Sequence, residues 1–192
     1  MELIKTDIDG VVILKPRVFE DSRGYFFESY SKRVFDELIG HPVDFVQDNE
    51  SSSSYGVMRG LHFQLPPFSQ SKLVRCVRGS VLDVAVDLRK GSPTYGRHVS
   101  VILSEENHLQ FFVPRGFAHG FAVLSETAVF QYKCDNYYHP EAEGGISITD
   151  PSLGIDWHID PSRAILSEKD TRHETLDRFE SPFDINIDPY AK

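Results

Sequence analysis

Gly56-Val57-Met58-Arg59-Gly60-Leu61-His62-Phe63-Gln64 sets a cation and an imidazole three residues apart inside a run that otherwise reads as a buried strand. Polar groups held in an apolar strand cost free energy unless they are paired or used. An imidazole takes and returns a proton near neutral pH, and a guanidinium fixes an anion. Period-two alternation puts Gly60, His62 and Gln64 on one face and Arg59, Leu61 and Phe63 on the other. For Arg59 and His62 to share a site, a bulge at Gly60 must re-aim one of them, or Arg59 must serve a different part of the site. On spacing alone His62 is a base, a metal ligand or a core histidine, with the last as the default.

The run opens a series of strands. Candidates are 57–63, 72–78, 81–88, 97–103, 109–113, 120–124, 127–134 and 145–148, separated by turn signals such as Gly79-Ser80, Gly91-Ser92-Pro93 and Ser125-Glu126. Short strands at this spacing, with no long helical pattern between them, predict an all-β antiparallel sandwich or barrel. Upstream, Gly10–Leu14 reads as strand, Glu20–Gly24 as a turn and Tyr25–Tyr30 as an aromatic strand. Ser31 is placed to cap a short helix over Lys32–Leu38, with Gly40 as its stop. Residues 43–49 are extended, and Ser51–Ser54 reads as a low-complexity patch. Beyond Asp150-Pro151 the chain loosens, with a short helix expected over Thr171–Phe179 and a Pro-containing tail. With no internal repeat and no boundary, one domain is expected over 1–192: a β-barrel core about 43–150, with N-terminal strands and C-terminal helices packed on it.

A net charge of −9, from 20 basic and 29 acidic residues, argues against nucleic acid as a partner, which calls for a basic face. A small anion held by a few local Arg and Lys residues stays compatible. Cys76 and Cys134 form no CxxC pair and read as reduced, buried thiols. No apolar run has signal-peptide or membrane-span length, so a soluble cytoplasmic protein with no membrane association is expected.

A second stretch, Phe112-Val113-Pro114-Arg115-Gly116-Phe117-Ala118-His119-Gly120, delivers another His from a tight turn onto the next strand. It resembles the second motif of the cupin superfamily, whose small jelly-roll barrels often hold a metal. The first cupin motif needs His-x-His and a following Glu, and His62-Phe63-Gln64-Leu65-Pro66-Pro67 lacks the second His and the Glu. Two neutral imidazoles are a poor protein metal site, so no metal is expected. Lys72 alternates with apolar residues and either snorkels at a strand end or points into a pocket. Tyr132 shares a face with Phe130 and Ala128 and is a core tyrosine by default, as Ser167-Glu168-Lys169-Asp170 is a solvated charge cluster. Together a His base, a Tyr acid, a Lys cation and several Arg residues suit proton transfer beside a carbonyl on a phosphate-bearing substrate.

Gln47-Asp48-Asn49, the Gly56–Gln64 run, Lys72-Leu73-Val74-Arg75, Asp83–Arg89, Pro114–Phe121 and Leu166–Asp170 resemble, as a set, the dTDP-4-dehydrorhamnose 3,5-epimerase family. The resemblance implies a cupin-type jelly roll, a homodimer, a dTDP-sugar substrate and no metal or organic cofactor. It implies conversion of dTDP-4-dehydro-6-deoxy-D-glucose to dTDP-4-dehydro-L-rhamnose, on the route to dTDP-L-rhamnose for cell-surface polysaccharide. It further implies His62 as general base, Asp170 as its buried partner, Tyr132 as general acid and Lys72 beside the 4-keto oxygen. Gln47, Asn49, Arg59, His119, Tyr138, Glu143 and Lys169 match substrate-contacting positions. Arg23, Phe26 and Glu28 match the region that meets the nucleotide, across the dimer or within one chain. Met58 stands where Leu is usual, Cys76 where Val is expected, and His98 where a bulkier aromatic is expected. The alternatives are a single-centre epimerase or a ketoisomerase on a related sugar, a metal-dependent cupin oxygenase, and a non-catalytic sugar-binding cupin.

Overall fold

Strand Ser80–Asp87 is buried on both faces, and the rest of the fold follows from how each face is covered. In the computed structural model, which describes residues 1–190, alternation along this strand sends Val81, Asp83 and Ala85 to one side and Leu82, Val84 and Val86 to the other. The strands in chain order are β1 (Glu2–Lys5), β2 (Val12–Lys15), β3 (Phe19–Asp21), β4 (Gly24–Phe26), β5 (Gln47–Ser54), β6 (Met58–Gln64), β7 (Lys72–Arg78) and β8 (Ser80–Asp87). They continue as β9 (Arg89–Lys90), β10 (His98–Ser104), β11 (Gln110–Val113), β12 (Phe117–Val123), β13 (Thr127–Cys134), β14 (Glu143–Gly145) and β15 (Phe183–Asp184).

Two antiparallel sheets carry the architecture, with six strands in the order β1-β2-β11-β7-β13-β5 and five in the order β10-β8-β12-β6-β14. Between them lies a core of Val74, Cys76, Val81, Ala85, Phe111, Phe121 and Phe130. A second core covers the outer face of the five-stranded sheet, where Leu82, Val84 and Leu61 meet Trp157, Leu166, Leu176 and Phe179 from the C-terminal segment. A third lies outside the six-stranded sheet, where Phe35 of helix α1 (Lys32–Ile39) packs on Leu14, Leu73 and Phe112. Each fully buried side chain of this size contributes about 1.5–3 kcal/mol relative to exposure.

The expected all-β jelly roll is the fold found, and the helix sits as expected. Its stop is Gly40 in the left-handed region, although Ser31 makes no side-chain capping bond. Cys76 and Cys134 are free and buried.

Several expectations change. The serine run is the second half of β5, where Ser51–Ser54 pair with Phe130–Thr127 along the sheet edge. Serine is a weak strand former, and tertiary pairing overrides that preference. The N-terminal strands do more than pack on the barrel, because β2 pairs with β11 and extends the sheet upstream of 43. The aromatic strand ends at Phe26, and the strand expected at 145–148 is Glu143–Gly145. The helix expected over Thr171–Phe179 is replaced by a 3₁₀ turn, Asp170–Arg172, and further turns. Its backbone groups are claimed elsewhere: the Ser147 N–H donates to Glu174 O at 2.8 Å, and the Leu176 N–H to Asp150 Oδ2 at 2.6 Å. Among the described residues no helix is long and apolar enough to cross a membrane.

Candidate active site

Strand β6 carries a bulge at Gly60, one of the two ways in which Arg59 and His62 were expected to be reconciled. His119 of β12 lies opposite His62 and Phe121 opposite Arg59, so Gly60 and Leu61 together face the single residue Gly120. Gly60 takes φ +121°, and a Cβ there would lie 2.6 Å from Gly120 Cα. Only glycine lets the two backbones approach so closely in that conformation. The extra residue reverses the alternation. Leu61 turns into the outer core, while Arg59 and His62 both line one cavity of about 450 Å³ with Lys72, His119, Tyr132 and Asp170.

His62 Nε2 is 2.5 Å from Asp170 Oδ1. The other carboxylate oxygen accepts from Ser167 Oγ at 2.8 Å, and the Asp170 N–H donates to that same Oγ at 3.1 Å. Burial alone would raise the Asp170 carboxyl, but the bonds from His62 and Ser167 outweigh it and hold the group below its ordinary value. The carboxylate is therefore anionic, and it is placed to fix the ring and to stabilise an imidazolium.

Beside this pair lies a second. His119 Nε2 is 2.9 and 3.1 Å from the two Asp83 oxygens, with both side chains buried. Burial pushes His119 down and Asp83 up, against the attraction between them. Lys72, at the start of β7, is likewise pushed below the ordinary lysine value by burial. Its Nζ stands 5.8 Å from the Tyr132 ring centroid. Burial raises the Tyr132 phenol, so at neutral pH it carries its proton. Tyr132 comes from β13 in the six-stranded sheet and His62 from β6 in the five-stranded one, so the cavity receives them from opposite walls.

Lys169 also lines the cavity and forms an ion pair with Glu143. Tyr138 Oη donates to Glu143 Oε2 at 2.6 Å, a bond that pushes the phenol up to about 12. Gln47 and Asn49 lie on β5 rather than in the cavity wall. Gln47 Nε2 donates to Asn49 Oδ1 at 2.9 Å, the Tyr138 N–H donates to Gln47 Oε1 at 3.2 Å, and Asn49 sits opposite Tyr132. Arg23, Phe26 and Glu28 are not brought to this cavity. Arg23 pairs with Asp21 on the exposed β3–β4 hairpin, where Phe26 is 71% exposed.

Reading the sequence assigned Asp83 and Ser167 no role beyond the motifs that contain them, and it did not single out His173. Asp83 stands in the apolar run of β8, the same signal that singled out His62. His62, Asp170 and His173 offer ligand-type atoms within 4.8 Å of one another. Within that set the nearest pair, His62 and Asp170, is engaged in its own hydrogen bond. The constellation gives a base oriented by a carboxylate, a protonated phenol on the opposite wall and a half-buried lysine beside that phenol, which is what proton transfer next to a carbonyl requires.

Comparison with known proteins agrees with that chemistry. A family model described as dTDP-4-dehydrorhamnose 3,5-epimerase matches residues 5–178. The dTDP-4-dehydrorhamnose 3,5-epimerase of Escherichia coli (strain K12) is 54% identical over 177 residues, 92% of this chain and 95% of that protein. The crystal structure of the enzyme of that name from Elizabethkingia anophelis NUHP1 superposes with a TM-score of 0.89 at 55% identity, covering 92% of this chain and 97% of the other. A 3,5-epimerase from Legionella pneumophila Philadelphia 1, solved in complex with dTDP-4-keto-L-rhamnose, gives a TM-score of 0.89 at 49% identity over 93% and 94% of the two chains. Matches of this length and identity place the chain in the dTDP-4-dehydrorhamnose 3,5-epimerase family.

Proposed function

We propose that the protein is a dTDP-4-dehydrorhamnose 3,5-epimerase, an isomerase that converts dTDP-4-dehydro-6-deoxy-D-glucose to dTDP-4-dehydro-L-rhamnose. Carbons 3 and 5 flank the 4-ketone, so their protons are the acidic ones. In this reading His62 removes each proton. Asp170 occupies Nε2, which assigns Nδ1 to the substrate. Charge then builds on the keto oxygen, and Lys72 stabilises it. One such donor is typically worth roughly 3–4 kcal/mol. Tyr132 returns a proton from the other side, and the centre is inverted. Acid, base and oxyanion donor are all side chains, so this reading calls for no cofactor.

The observation that carries the reading is the placement of His62 and Tyr132 on opposite walls of one cavity. Net inversion requires that placement, whereas a non-catalytic sugar-binding protein does not. Arg59, His119, Glu143, Lys169 and Tyr138 would hold the sugar and the diphosphate, with Gln47 and Asn49 beside them. A homodimer gives the exposed hairpin a use. Phe19, Tyr25 and Phe26 are more than half exposed or close to it, at 50%, 59% and 71%, and with Arg23 and Glu28 they would meet the nucleotide of the neighbouring subunit. A single domain in the cytoplasm completes the reading.

Turnover in deuterated buffer tests it. Deuterium is expected at both carbon 3 and carbon 5, with inversion at each. Label at one carbon only would make the protein a single-centre epimerase. His62→Asn should abolish exchange while a dTDP-sugar still binds, and exchange retained by that variant would remove His62 from the base role.

A further inference from the structure

His173 stands directly behind the His62–Asp170 pair, in a segment outside the strands of the barrel. Its ring meets the His62 ring edge-on, with centroids 5.6 Å apart and planes at 73°. Beneath it lies Gly145, which is opposite His62 in the β14–β6 register. A Cβ on Gly145 would come within 2.6 to 2.8 Å of three atoms of the His173 ring, so the glycine leaves a seat that the imidazole fills. The seat is anchored on both sides. The Ser147 N–H donates to Glu174 O at 2.8 Å, and the Arg172 N–H to Lys169 O at 3.0 Å. His173 therefore lies between two fixed backbone ties and three residues from Asp170. Its Nε2 is buried and has no hydrogen-bond partner among the described residues. The nitrogen therefore gives the ring no anchor, and packing on Gly145 and His62 is what holds it. The titratable groups around the ring are His62, Asp170, Lys169 and Glu143. Burial, reinforced by His62, keeps His173 below the ordinary imidazole value and hence uncharged at neutral pH.

We propose that His173 is a positioning residue: seated on Gly145 and edge-on to His62, its ring holds the Asp170 turn in place and keeps water from the His62–Asp170 hydrogen bond. The inference rests on the reading of His62 as base. It concerns how the carboxylate is held, and the ring rather than its nitrogen is the working part. A loose Asp170 leaves substrate binding intact but lets the imidazole tilt, and misplacement of this kind lowers turnover more than affinity.

The test compares His173→Ala with His173→Phe in the full chain, using kcat, KM, thermal midpoint and the downfield N–H proton resonance of the His62–Asp170 bond. His173→Ala is expected to lower kcat at least tenfold with KM within about threefold, and to lose or broaden the downfield proton. His173→Phe restores the ring without the orphan nitrogen. It is expected to keep kcat within about threefold of the parent, to retain the resonance and to have a thermal midpoint no lower. If His173→Ala does not fold, Gly145→Ala displaces the ring from the other side and should give the same loss of kcat and of the resonance. Parent-like kcat and an unchanged resonance in His173→Ala or Gly145→Ala would overturn the proposal. So would a fall in kcat that merely follows the folded fraction. His62→Asn, assayed alongside, separates the two readings: exchange surviving in that variant refutes the base assignment, whereas its loss together with a parent-like His173→Ala refutes only the positioning role.

Discussion

The 2.5 Å contact between His62 Nε2 and Asp170 Oδ1 joins a central strand to a 3₁₀ turn 108 residues later. Neither partner is placed by its own neighbourhood alone. The bulge at Gly60 aims His62 inward, and Ser167 together with the outer-face packing of Leu166 and Leu176 holds Asp170. Replacing Asp170 by Asn keeps the shape and removes the charge that favours an imidazolium. A fall in kcat of about 10²–10⁴-fold is expected, with a thermal midpoint lowered only by the share of stability that the ionised carboxylate supplies. Steady-state kinetics beside a melting curve checks this, and a fall of less than tenfold would argue against the carboxylate role.

Tyr132→Phe removes the acid and leaves the base wall intact. Inversion is expected to fall by about 10²–10⁴-fold, while His62 continues to exchange substrate protons on its own face. Mass spectrometry for label, with NMR of the sugar configuration, distinguishes the two. Inversion at the parental rate would move the acid role away from Tyr132.

The alkaline side of the activity profile is expected to follow Lys72. Burial lowers Lys72 from the ordinary lysine value of about 10.4 and raises Tyr132 from its own of about 10, so the two move toward each other and a variant must separate them. The kcat profile should fall as pH rises through the Lys72 value. Lys72→Arg, which stays charged, should carry that limb upward even at reduced kcat. A limb unmoved in Lys72→Arg would assign it to another group.

Stability at low pH follows from Asp170 and Glu143. The folded values of both are depressed, in each case because hydrogen bonds outweigh burial. Their contribution is complete above the unfolded carboxylate values, about 3.9 for Asp and 4.3 for Glu, and is lost as pH falls through the folded ones. Urea midpoints should therefore drop on acidification below about pH 4. Asp170→Asn should flatten that drop, and an unchanged slope would show that other carboxylates carry it.

Gly60→Ala places a Cβ against the Gly120 backbone in a conformation that disfavours side chains. A loss of roughly 2–4 kcal/mol is expected, from backbone strain and overpacking together. Gly120→Ala, which would meet Arg59 O at 2.6 Å, should cost about 1–3 kcal/mol. Chemical denaturation measures both, and a neutral Gly60→Ala would contradict the close approach of the two strands.

Much of this was legible in the sequence because local spacing encodes it. Strands β7 and β13 fall where alternation put them, and a bulge at Gly60 was one of the two ways to reconcile Arg59 with His62, the one that β6 adopts. What could not be read depended on distant partners. Ser51–Ser54 becomes strand only because β13 lies beside it, and Thr171–Phe179 forgoes a helix because Ser147 and Asp150 take its backbone groups. Asp83 stood inside a family-like motif with no role of its own, and only the fold sets His119 against it. Arg23 and Phe26 remain apart from the cavity because they lie on an exposed hairpin, and Glu28 follows just beyond it.

The C-terminal segment that covers the outer face of the five-stranded sheet also delivers Asp170 to its inner side. One stretch of chain is thus both weatherproofing and working part. Such a stretch, built of turns and short 3₁₀ segments rather than strands, is expected to open before the sheet beneath it. Warming should therefore silence the enzyme by peeling this cover while the barrel is still intact, so the temperature at which activity fades lies below the temperature at which the protein melts.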